Sequence, residues 1–227
     1  MDRRVRVAIE TGPKRVFATA IDWPGWSRSA RSEDDAIEAL QAYGRRYAAV
    51  VSASVPFDLP SDPKAFRVDE RVAGGSGTDF GVPSSVIAAD EEPVDDVDLE
   101  RLSMILRACW TAFDAAVAAA EGVELRKGPR GGGRNLPKIV GHVGESDSGY
   151  LHALGAKPPK GTDLGTDLEP VRRAILETLE ARVHDRPIAQ PTAVKRPWLP
   201  RYTVRRTAWH ALDHAWEIED RATPEDV

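Results

Sequence analysis

The stretch "RRTAWHALDHAWEIEDR", residues 205–221, carries two histidines four apart, flanked by tryptophans and followed by three carboxylates. Residues i and i+4 lie one turn apart on the same helical face. His210 and His214 can therefore point at one ion, or they can be ordinary residues of a packed helix. Working back from this stretch, three more amphipathic segments come into view. Leu99, Leu102, Leu106, Cys109, Phe113, Val117 and Ala120 form one apolar stripe. Asn135 is placed to cap a second helix running to about Leu154, with Ile139, Val143, Ser146 and Tyr150 inward. Thr166 with Glu169 has the spacing of a capping box for a third, with Leu168, Val171, Ile175, Leu179 and Val183 inward. A proline-rich connection, 185–202, leads to the fourth helix at about 203–221. Four such faces argue a four-helix bundle.

The half before the bundle has a different rhythm. "RVRVAIE" alternates, "TGPK" at 11–14 is a turn and "RVFATAI" returns, which predicts a hairpin. "DWPGW" at 22–26 is a second turn, "WSRSA" a short third strand, and residues 64–72 a further strand. Ser32 and Asp35 resemble a capping box before a helix marked by Ile37, Leu40, Tyr43, Tyr47 and Val50. The expected organisation is an α+β unit over 1–89, an acidic linker over 90–98 and an all-α bundle over 99–227.

Of 227 residues, 41% are hydrophobic and 30% charged, as in ordinary globular domains. The net charge is −5, and the acidic surplus sits in "DEEPVDDVDLE", residues 90–100, which reads as a solvated linker entering a helix. Neither half is basic enough to suggest a nucleic-acid partner. A single cysteine, Cys109, excludes an intramolecular disulfide and a multi-cysteine metal site. The start has no apolar leader and the longest apolar stretches are short, so a cytoplasmic protein with no membrane partner is expected.

Two imidazoles hold a metal weakly, so a third ligand is needed. His142 falls within the inward stripe of the second helix, where a partner helix can bring His210 and His214 to it. Three histidines would leave an open coordination position, the catalytic rather than the structural arrangement. The alternative is a set of packed histidines without metal. Asp213 and Glu217 can each orient a histidine or form a solvated helix face. Arg205 and Arg206 crowd a helix start, where positive charge is unfavourable. Either the acidic run compensates them or an anionic ligand does. "GPRGGGRN" at 128–135 lacks the Lys-Ser/Thr of a phosphate loop and reads as a connection. An HExxH protease reading is weaker, because Ala211 stands where that motif requires the glutamate. Gly141, Gly144 and Gly149 weaken the second helix, unless close packing or a ligand beside His142 offsets them.

Two resemblances add to this reading. Residues 21–47, "IDWPGWSRSARSEDDAIEALQAYGRRY", resemble the small ββ(β)α unit of HicB-type proteins, which implies the fold of that unit. "KIVGHVGESDSGYLHALG" at 138–155 and the stretch at 205–221 resemble the second- and fourth-helix motifs of the DinB/YfiT-like superfamily. That resemblance covers about 99–221 and implies a four-helix bundle with a metal held by three histidines, here His142, His210 and His214. It implies a divalent cation, zinc or nickel, and metal-dependent thiol chemistry. The reaction would be a transferase or isomerase step using a low-molecular-weight thiol of the mycothiol or bacillithiol kind. The alternative is a non-enzymatic metal or small-ligand binding module. The expected partner is a small ligand or thiol cofactor, and a homodimer stays open.

Overall fold

A computed structural model describes residues 4–128 and 133–222. Of the glycine-rich connection, residues 129–132 lie outside the described residues. Three strands follow one another as expected: β1 (Val5–Thr11), β2 (Val16–Ala20) and β3 (Ser27–Ala30). They pair antiparallel, and β4 (Phe66–Ala73) adds to the free side of β1 in parallel, giving the order β3-β2-β1-β4. Two helices, α1 (Glu33–Ala42) and α2 (Gly44–Val51), come between β3 and β4. A single helix was expected here, but the chain breaks at Tyr43. The Ser32 hydroxyl accepts from the Asp35 N–H, as its position suggests. "GGSG" at 74–77 leads into a short helix, α3 (Ser76–Phe80).

The second half is four long helices: α4 (Asp96–Ala119), α5 (Leu136–Leu154), α6 (Glu169–Val183) and α7 (Pro200–Ala222). Asn135 caps α5 through the Lys138 N–H. The expected Thr166–Glu169 box is not what starts α6; the Asp167 carboxylate accepts from the Glu169 N–H instead. Side-chain pairings fix the helix directions. Asp98 meets Arg201, and Cys109 and Leu212 both touch Gly25, so α4 and α7 run parallel. Gly144 meets Leu168 and the Arg182 guanidinium meets the Leu154 carbonyl, so α5 and α6 also run parallel. His142 meets His210 while Tyr150 meets Arg206, so α5 and α7 run antiparallel. Parallel neighbours need a long crossover, which residues 155–168 supply. α4 is long and apolar enough to cross a membrane, but Leu102, Ile105, Leu106, Cys109 and Phe113 are covered by the protein itself.

The apolar core runs without a break from Val7 and Trp26 through Leu106 and Cys109 to Leu212 and Ile218. This corrects the expected division at 90–98. The Pro-Gly turn explains it locally: Gly25 has φ +96°, and its α-carbon lies so near Cys109, Ala208 and Leu212 that a Cβ would stand 3.0–3.4 Å from them. Glycine alone suits both demands. Phe17 of β2 meets Trp209 edge-on at 6.1 Å, and Tyr43 meets Trp216 at 5.0 Å. Nor is the acidic segment simply a solvated linker. Residues 88–91 form a 3-10 turn, Asp90 is buried, and Asp95 caps α4.

Candidate metal centre

α7 is buried along nearly its whole length, from Tyr202 to Leu212 without interruption. Its sequence is rich in polar residues, so each inward polar group needs a partner. His210 and His214 face α5, where the inward stripe of Ile139 and Val143 carries His142 between them. The three rings stand 4.6–5.0 Å apart, centre to centre. One nitrogen from each lies within 4.8 Å of the others, and the Nε2 atoms of His142 and His210 are 3.3 Å apart. Two imidazole nitrogens bound to one tetrahedral ion at about 2.1 Å stand about 3.4 Å apart. The donor set therefore fits a divalent cation with modest closure.

The surroundings prepare these rings as ligands. Burial first, and then the charges of His214, His142, Arg206 and Arg134, hold the His210 imidazole well below its usual pKa. Burial and His214 likewise depress His142. Both rings are thus neutral at pH 7, the form that ligates. His214 is oriented by Glu217, whose carboxylate sits 2.8 Å from Nδ1 and leaves Nε2 for an ion. Burial opposes the charge on Glu217, but contacts with His214 and Arg221 outweigh it and hold the carboxyl below the usual range. Arg221 donates to Glu217 at 2.6 Å and to the carbonyls of Arg126 and Arg134. It ties the histidine support to the chain on either side of the α4–α5 connection. Its position four residues after Glu217 was a readable signal, an i, i+4 ion pair.

The other expected residues divide. Asp213, expected beside a histidine, turns away and pairs with Arg28 of β3 at 3.4 Å. Arg205, expected to hold an anionic ligand, is committed to Asp90, with Nε 3.0 Å from one carboxylate oxygen and both side chains buried. Arg201 pairs with Asp98. The acidic run thus neutralises the basic start of α7. Of Arg201, Arg205 and Arg206, it is Arg206 that reaches the triad's neighbourhood, with its guanidinium 5.5 Å from the ring of Tyr150, which lies 5.8 Å from that of His210. Gly144 is explained by packing: a Cβ there would stand 2.1 Å from the Leu164 carbonyl oxygen, whereas Gly141 and Gly149 face open space.

One buried group gave no sequence signal. Asp147 is fully buried on α5, and neither carboxylate oxygen has a hydrogen-bond partner among the described residues. Arg172 of α6 approaches to 3.9 Å but donates instead to Asp114 at 2.7 Å. Burial pushes the Asp147 carboxyl up to about 7, against the opposing charge of Arg172.

Comparison with known proteins finds no matching family model, no matching curated protein and no matching solved structure.

Proposed function

We propose that the chain binds one divalent cation, zinc or nickel, through His142, His210 and His214, and acts as a metal-dependent enzyme of the thiol transferase or isomerase kind. The observation that supports the metal reading is the convergence of three imidazoles, one of them oriented by a carboxylate. The DinB/YfiT-like resemblance of residues 138–155 and 205–221 supports the thiol reading. A bound ion would act as a Lewis acid and keep a coordinated thiol as thiolate at neutral pH. Glu217 would fix the tautomer and direction of His214. The half-buried His142 marks the side from which a small molecule reaches the centre, and the Tyr150 and Trp198 rings, 5.4 Å apart, flank that approach.

A second reading, a non-enzymatic binding module, rests on one observation. Glu217, the carboxylate in contact with the triad, is engaged by both His214 and Arg221 and is not a ready general base. Metal analysis of the purified chain tests the first half of the proposal. About one equivalent is expected, falling to a small fraction in His210→Ala and His214→Ala while the helical content is unchanged. Equal metal content in native and variant proteins refutes it. Turnover of an electrophile panel with low-molecular-weight thiols by the metal-loaded chain separates the enzyme from the binding module.

A further inference from the structure

Arg205 and Arg206 are neighbours in sequence with opposite surroundings. Arg205 donates to Asp90 and to the Ser85 carbonyl. Arg206 is only 5% exposed, yet its Nε and Nη1 have no hydrogen-bond partner among the described residues, and Nη2 reaches only the Tyr150 hydroxyl at a long 3.4 Å. Tyr150 and Trp209 hold the guanidinium between ring faces, 5.5 and 5.1 Å from their centres. Such faces attract a cation but accept no in-plane hydrogen bond. Buried donors left unmade are costly, and a guanidinium presents them as a planar fork that matches a carboxylate.

The position of this fork gives it meaning. Residues 206, 210 and 214 are successive i, i+4 positions, so Arg206 stands on the same face of α7 as the two histidines, about 6 Å further along the axis. Across the seam, Tyr150 stands eight residues along α5 from His142. Arg206 and Tyr150 thus form the next layer beside the triad. The three imidazoles are uncharged as ligands, and the Glu217 charge is matched by Arg221. A divalent ion plus Arg206 would leave the seam with an excess of positive charge.

We propose that Arg206 and the Tyr150 hydroxyl form a carboxylate subsite, and that the ligand of this centre is a small organic acid with a second donor for the metal three or four bonds from its carboxylate. This rests on the metal reading above. Arg206 takes the carboxylate through its empty donors, and Tyr150 adds a hydroxyl. The rings of Trp198 and Tyr202, 4.8 Å apart, continue the wall beyond Tyr150.

The full chain loaded with cobalt(II) provides the test. A thiol end is convenient, because sulfur-to-cobalt absorption reports binding without any turnover. The native protein is titrated with 3-mercaptopropionate and with uncharged 2-mercaptoethanol. The acid is expected to bind about ten-fold more tightly or better, as a charge-assisted pair at a buried site requires. In Arg206→Gln the preference should shrink to about two-fold, with cobalt content and 2-mercaptoethanol binding unchanged. Should that variant not fold, Arg206→Lys serves. Losing the fork there should cut the preference about three-fold, and an undiminished preference overturns the proposal. Equal binding of the two thiols by the native protein also overturns it, as does a preference that survives in Arg206→Gln. A native chain that takes up no cobalt refutes the metal centre and the subsite together. Uptake without the preference refutes the subsite alone.

Discussion

Replacing Asp147 with asparagine should flatten the dependence of stability on pH between pH 5 and pH 9. The carboxyl is fully buried between α5 and α6, neither oxygen is hydrogen-bonded among the described residues, and its folded pKa is raised to about 7. In the unfolded chain an aspartate titrates near 4. The folded state therefore holds this proton more tightly. Its contribution to stability is fully present below about pH 4 and is lost as pH rises through about 7. For one group with these two pKa values, the loss from pH 5 to pH 9 is about 3 kcal/mol. In a chain of this length that corresponds to a melting temperature lower by about 6–12 °C. Asparagine imitates the protonated form and cannot titrate, so the variant should lack this component. Urea unfolding of both proteins at pH 5, 7 and 9, with chelator present throughout, gives the comparison. Titration of the histidines is common to both and cancels in the difference. Parallel pH profiles for the two proteins would refute the reasoning, since they would mean that Asp147 is ionised and satisfied at neutral pH.

Glu217→Gln should weaken metal binding by about 10–100-fold, because the His214 ring loses an anionic partner. Competition against a chromophoric chelator measures this, and an unchanged affinity would remove Glu217 from the centre. Asp90→Ala should destabilise the protein by about 3–5 kcal/mol, since it strands the buried Arg205 guanidinium. Denaturant unfolding reads that loss, and a cost under about 1 kcal/mol would mean that the pair is hydrated.

Much of the site was legible because helical spacing is a local property. The i, i+4 pair, the inward position of His142 and the reach of Glu217 follow from periodicity alone, and so does the Asn135 cap. What was not legible depends on which elements meet. Asp213 and Glu217 are both near the histidines in sequence, but β3 happens to bring Arg28 to one of them. Arg205 and Arg206 are indistinguishable by type, and only the packing of residues 85–90 against α7 closes one and leaves the other open. Asp147 looks like one of several polar residues on α5 until α6 covers it. The continuity of the core was hidden for the same reason. A charged run with a proline reads as a boundary, yet Asp90 and Asp98 are counter-ions for a helix about a hundred residues away. The Tyr43 break between α1 and α2 interrupts a stripe that reads as continuous, and Gly44, directly after it, is its one local mark in the sequence.

The burial of α7 also has a consequence for how the chain is made. Translation delivers β1, β2, β3 and α1 long before residues 200–222 exist. Phe17, Gly25 and Tyr43 meet their α7 partners, Trp209, Leu212 and Trp216, only when that helix leaves the ribosome. Until then the growing chain presents an unfinished sheet with apolar side chains turned to solvent, the condition that favours aggregation of nascent proteins. The helix that carries His210 and His214 is thus also the one that covers Phe17, Gly25 and Tyr43, so the three histidines come together only once that packing has formed.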